Sequence, residues 1–173
     1  MNKRRLQLVL IIVAFALPAL LATLMQTRWF HWEPESTRNR GDLIKPVIAL
    51  PALGDASAVA DGHRWTVLVR VPAQCDAGCT RRIQLIGRIR EAQGKEMDRV
   101  QMLAWPAPGG AVEAPYAPWQ PADAIAAALS LPEGAVALID PLGNAMMRYR
   151  MDADPTDVRK DVAHLLRWSK VGT

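Results

Sequence analysis

The chain has 173 residues, 50% hydrophobic, 22% charged and 6% aromatic, with two cysteines and a formal net charge of +4. Lys3, Arg4 and Arg5 supply three of those four positive charges ahead of an apolar run, so the remainder carries only +1, too small a basic excess for a nucleic-acid footprint. The composition also excludes a disordered chain and a disulfide-rich scaffold, no fixed period marks a repeat array, and the length suits one packed domain.

Leu6 to Met25 is a run of 20 residues without a charge. As a helix it measures about 30 Å, the hydrocarbon thickness of a bilayer. Basic residues precede it, whereas Arg28 is soon followed by Glu33 and Glu35, which places the amino terminus in the cytoplasm and the rest of the chain outside. Signal-peptide cores are roughly 7 to 15 residues long, and here the small-residue pattern at Ala19 and Ala22 lies within the run, so an uncleaved anchor is the reading. Trp29, Phe30, His31 and Trp32 follow at the depth where amphipathic rings gather at a membrane surface, which makes His31 an interfacial side chain rather than a ligand. The expected organisation is a cytoplasmic tip and transmembrane anchor over 1–28, a juxtamembrane linker over 29–62 and a periplasmic domain over 63–173. That describes a single-pass protein of the bacterial inner membrane.

Within 29–62 one short extended piece is predicted near Asp42 to Leu50. Trp65 to Val71 (WTVLVRV) is β-branched and apolar between the Gly62 turn signal and Pro72, a buried strand. From Thr80 the segment TRRIQLIGRIREAQG carries Ile83, Ile86 and Ile89 as a stripe flanked by Leu85 and Ala92, an amphipathic helix with Gly94 as its stop. Arg99 to Trp105 is the next strand, and a Pro/Gly-rich excursion runs from Pro106 to Pro121. A short helix at 122–129, strands at Ala135 to Asp140 and Ala145 to Arg150 joined by a tight turn, and a last helix from about Thr156 to Trp168 complete the pattern. This order predicts an α/β domain, a mixed sheet flanked by helices, and it resembles the thioredoxin-like fold.

Both cysteines lie in one segment, Cys75-Asp76-Ala77-Gly78-Cys79, at the junction of the first buried strand and the first helix. A disulfide closing so short a loop adds little entropic stabilisation, so a purely structural role explains the pair poorly. At a helix amino terminus, unpaired N–H groups and the dipole favour a thiolate; Arg81 and Arg82 add positive potential and Asp76 opposes it. Two thiolates also suit Cu(I).

The apolar amino-terminal run, the buried strand, the C-x-x-x-C at the strand-to-helix junction, the ALIDPLGN segment and the closing helix together resemble the SCO/SenC family of cytochrome c oxidase assembly factors, over roughly Trp65 to Trp168. The resemblance implies a membrane-anchored periplasmic thioredoxin-fold protein that delivers copper to the Cu(A) centre of the oxidase or reduces the disulfide there. Its partner is then a cytochrome c oxidase subunit or a copper/thiol relay protein. It implies that Cys75 and Cys79 are the redox-active and metal-binding cysteines. The family's third ligand, a histidine, has no counterpart: its motif laid on ALIDPLG puts Pro132, Glu133 or Gly134 at that position. Thr80 stands where the family has a proline after the second cysteine.

Other histidines do not replace it. His63 and Cys75 flank the strand Trp65 to Val71 at opposite ends, about six steps of 3.3 Å apart. His164 falls opposite the apolar stripe of the last helix, Val158, Val162, Leu165 and Leu166. Met146 and Met147 begin the strand leaving the turn, away from the cysteines, and one of them suits the core. Asp152, Asp154, Asp157 and Asp161 lack the EF-hand order and read as a solvated loop and helix face. Three functions stay open. The first is a thiol–disulfide protein, an oxidoreductase in class, with Cys75 attacking and Cys79 resolving. The second is a Cu(I) delivery protein without redox catalysis, Cu(I) being the one cofactor implied, and the third is a tethered interaction module with a passive disulfide.

Overall fold

The computed structural model describes residues 3–26 and 39–169, and the chain divides into two units between Arg38 and Asn39. In the first unit the apolar run forms helix α1 (Lys3–Gln26), which is long and apolar enough to cross a membrane. Its 24 residues span about 36 Å. The cluster Trp29 to Trp32, with His31, lies outside the described residues.

The second unit is built on a six-stranded mixed sheet: β1 (Asp42–Ala49), β2 (Trp65–Val71), β3 (Val100–Pro106), β4 (Ala117–Pro118), β5 (Val136–Ile139) and β6 (Asn144–Tyr149), in the spatial order β1-β6-β5-β2-β3-β4. β2 is central. It runs parallel to β3, from Trp65 opposite Val100 to Val71 opposite Pro106, and antiparallel to β5, from Thr66 opposite Ile139 to Val69 opposite Val136. A strand paired on both edges and covered on both faces reads as a continuous apolar run, which is why WTVLVRV shows no polar alternation. Successive residues still point to opposite faces. Trp65, Val67, Val69 and Val71 pack with Ile86, Ile89, Val158, Val162 and Leu166 on one side, the side of helices α2 (Ala77–Gly87) and α4 (Pro155–Trp168). Leu68 packs with Leu103, Trp105, Ala137, Ile139 and Leu50 on the other, where α3 (Asp123–Leu129) contributes Ile125 and Leu129. Val67, Val69, Ile86 and Leu138, the expected centre of the core, are fully buried.

Several boundaries differ from the sequence reading. Part of the expected linker belongs to the globular unit: β1 pairs with β6, Leu50 and Val59 are fully buried, and Gly62 N–H donates to the Pro141 carbonyl. Proline and glycine in 39–62 marked turns within a packed edge rather than a free tether. The amphipathic helix starts three residues earlier than Thr80 and stops at Gly87, seven before Gly94. Pro115 packs closely over this last residue: a β-carbon on Gly87 would lie 2.9 Å from Pro115 Cδ and 3.1 Å from its Cγ. A 3-10 segment, Glu91–Arg99, follows and is kinked at Gly94, whose φ is +58°. Leu85 faces solvent, 45% exposed. Helix α4 is capped by Asp154, which accepts from Thr156 N–H at 2.8 Å, with Pro155 at its first position. The solvated reading fails at Asp161: it is buried and accepts from the N–H groups of Arg40 and Gly41 and from Tyr149 Oη, at 2.9 to 3.0 Å. It pins the start of β1 to α4.

Candidate functional site

Cys75 and Cys79 form a disulfide, with Cα atoms 5.3 Å apart. The bond sits where β2 hands over to α2. Asp76 is the helix N-cap; its Oδ1 accepts from Cys79 N–H at 2.7 Å, and its carbonyl accepts from Thr80 N–H at 2.9 Å. Residues four apart across a first helical turn share a face, so the cap itself brings the two sulfurs together. Cys75 is exposed and Cys79 half-buried. In thiol–disulfide exchange an attacking thiolate must reach a partner's sulfur while a resolving one need only reach its neighbour, so of the two Cys75 is the more accessible to a partner.

Flanking features differ on the two sides of β2. Toward β5, Arg82, one turn along the helix from Cys79, donates through Nη1 to Gly134 O at 2.7 Å, through Nη2 to Arg150 O at 2.9 Å and through Nε to Ala153 O at 3.2 Å. Burial lowers the Arg82 pKa below its ordinary value, with Asp152 and Tyr116 opposing, yet a guanidinium stays protonated at neutral pH. Its carbonyl partners carry no formal charge. Helix α2 thus carries a fixed cation three residues after Cys79, in addition to the dipole at its amino end, and positive potential of either kind favours a thiolate. Arg81 is exposed.

Toward β3, the Pro/Gly excursion folds back to form a groove of about 260 Å³ with Cys75 on its border. Val71 and Ala104 come from the strands, Ile83 and Gln84 from α2, and Ala111, Val112 and Tyr116 from the excursion. Ala107 N–H donates to Val71 O at 2.8 Å and Tyr116 Oη donates to Ile83 O at 2.6 Å, which fasten both ends of this wall. Burial raises the Tyr116 pKa well above the ordinary phenol value, so the phenol stays a donor.

The structure places Cys75, Cys79 and the segment Pro132 to Gly134 at the same end of the sheet: Gly134 N–H donates to Arg70 O at 2.7 Å, at the carboxyl end of β2. It leaves the other named residues apart. His63 is exposed at the amino end of β2, held by Asp61, and His164 is exposed on α4, its ring 6.4 Å from that of Trp168. Met147 is buried in the core and Met146 half-buried. Among the described residues no group of three His, Cys, Asp or Glu side chains is placed to hold a metal ion. The donors present are two thiols, a set that matches two-coordinate Cu(I) once the pair is reduced. The groove and the Arg82 clamp were not legible in the sequence, although the excursion's density of Pro and Gly signalled a long irregular loop.

A strand-to-helix cysteine pair on the central strand of a mixed sheet, with helices on both faces, defines a thioredoxin-like protein. The model of the family described as transmembrane-like, thioredoxin-like, C-terminal domain matches residues 65–169, and the chain belongs to that family. No curated protein matches it. Solved structures similar to it include the thioredoxin-like superfamily protein SPOA0173, at 19% identity and a TM-score of 0.49, covering 74% of this chain and 99% of that one. A SCO1/SenC family lipoprotein from Bacillus anthracis str. Ames is similar at 13% identity and a TM-score of 0.42, over 63% of this chain and 84% of that one. Bradyrhizobium japonicum ScoI, solved with copper bound, is similar at 14% identity and a TM-score of 0.40, over 60% and 83%.

Proposed function

We propose that this is a membrane-anchored periplasmic thiol–disulfide protein of SCO-like type, which assists cytochrome c oxidase maturation through Cys75 and Cys79. The observation that supports it is an exposed Cys75 bonded to a half-buried Cys79 at the capped start of α2, on a thioredoxin-like sheet. Lys3, Arg4 and Arg5 at the start of α1, ahead of its apolar run, support export of the domain. A reporter fused after Thr173 is expected to be active only on the periplasmic side, and cytoplasmic activity would refute the orientation.

In this reading Cys75 exchanges with the partner and Cys79 resolves the mixed disulfide. The test is complementation of a deletion strain, reading oxidase activity and Cu(A) absorbance in membranes. Wild type is expected to restore both, and Cys75→Ser and Cys79→Ser neither; restoration by the single variants would overturn the role. The paired thiols favour a second reading, Cu(I) delivery, with the ion as cargo. Titrating the reduced protein with Cu(I) against a competing chelator separates the two, because tight one-to-one binding supports delivery and absent binding removes it. A reduction potential below about −300 mV would mark the bond as an inert staple and favour a tethered interaction module.

A further inference from the structure

We infer that the groove on the β3 side of Cys75 is a specificity site for an apolar, non-anionic peptide segment adjoining the partner's reactive cysteine. The inference rests on the thiol-exchange reading and adds the substrate class. Position comes first: Cys75, the exposed cysteine, borders the groove, so a chain seated in it carries its own sulfur to the bond that reacts. Chemistry comes second. The larger part of the lining is carbon, from Val71, Ala104, Ile83, Ala111 and Val112; the Tyr116 phenol has given its hydrogen bond to Ile83 O, and Thr80 and Gln84 add polar groups at the α2 side. Among the described residues Glu113 is the one charged residue lining it, which repels an anionic thiol such as glutathione and tolerates a neutral or basic segment. Size comes third: about 260 Å³ falls just below the range that takes drug-sized ligands and suits one or two apolar side chains. The site lies across β2 from Pro132 to Gly134, because β3 and β5 pair with opposite edges of that strand.

Exchange from the disulfide form balances without another reagent. A partner thiolate attacks Cys75 Sγ, the Cys75–Cys79 bond breaks, and Cys79 leaves with the electron pair as a thiolate at the amino end of α2. The partner's second thiolate attacks its own sulfur in the mixed disulfide and releases Cys75. The partner is oxidised by two electrons, the pair is reduced, and the two protons of the partner's thiols end on Cys75 and Cys79.

The test uses the full chain in detergent micelles and follows oxidation of dithiol peptides that differ only in the two residues beside one cysteine, Phe-Leu or Ser-Ser, with reduced glutathione and dithiothreitol as small thiols. The Phe-Leu peptide is expected to react at least tenfold faster than the Ser-Ser peptide or glutathione. Ala111→Glu, and independently Gln84→Trp from the opposite wall, are expected to remove that advantage while the dithiothreitol rate stays unchanged; both positions are exposed, so neither disturbs the core. Equal rates for the two peptides, glutathione as fast as the Phe-Leu peptide, or a preference that survives both variants would overturn the groove's role while exchange itself continued. Failure of every thiol, dithiothreitol included, would instead remove the exchange reading and this inference with it.

Discussion

Cys75 and Cys79 share one disulfide but not one environment, and the proposed exchange roles rest on that asymmetry. Exposure at Cys75 and partial burial at Cys79 predict that Cys79→Ser accumulates a mixed disulfide with the partner, trapped at Cys75, whereas Cys75→Ser captures far less; non-reducing electrophoresis of membranes reads the difference. The loop they close is so short that the double serine variant is expected to lose at most about 2 kcal/mol and to stay folded in thermal denaturation. Arg82 acts differently. Its three backbone acceptors tie α2 to the entrance of β5 and the exit of β6, so Arg82→Gln should cost about 2–3 kcal/mol in urea unfolding. The same change should raise the pKa of the reduced Cys75 thiol, measured by iodoacetamide alkylation against pH, because it removes a cation that favours the thiolate. An unchanged alkylation profile would show the residue to be a fastener alone. The pair and its flanking arginines were legible as residue types next to one another; the three carbonyls that Arg82 reaches, 52 to 71 positions away in sequence, were not.

At the scale of elements, α2 shows how packing overrides a periodic pattern. Ile83, Ile86 and Ile89 recur at helical spacing, yet the helix ends at Gly87, where the excursion after β3 crosses it. Gly87→Ala improves intrinsic helix propensity by up to about 1 kcal/mol. The added β-carbon meets the Pro115 ring at 2.9 Å and Tyr116 Cε2 at 3.3 Å, which must shift at a cost of about 1–3 kcal/mol. A net loss of stability in urea, together with slower reaction of the oxidised protein with apolar dithiol peptides as the groove wall moves, is the expected outcome. Strands were read more accurately than helix ends. β2 matches its predicted span because an uninterrupted β-branched run between turn signals has few alternatives, while helix termini depend on what crosses them.

For the whole molecule, alkaline stability follows from two buried phenols. Burial raises the pKa of Tyr149, with the Asp161 carboxylate adding to the shift, and burial also raises that of Tyr116. In the unfolded chain both ionise near the ordinary value of 10.0, so their neutral forms contribute stability that is complete below pH 10 and is lost as pH rises toward their folded values. Unfolding free energy measured by urea titration should therefore fall between about pH 10 and 12. The Tyr116→Phe variant should show a shallower decline, because one of the two linked protons is gone; an identical slope would contradict the linkage.

Periodicity, turn residues and the spacing of two cysteines sufficed to read a helix long and apolar enough to span a membrane, five of the six strands at their core, the α/β layering and the cysteine pair at the strand-to-helix junction, because each depends on interactions between residues close in the chain. Four further features arise from contacts between distant segments: β1 joining the sheet, the burial of Asp161 against Arg40, Gly41 and Tyr149, the early end of α2 under Pro115, and the groove beside Cys75. Asp161 carries the same local pattern as its solvated neighbours on α4. It is buried because the chain 120 residues earlier brings two backbone N–H groups to it, and a partner that remote leaves no mark in local sequence.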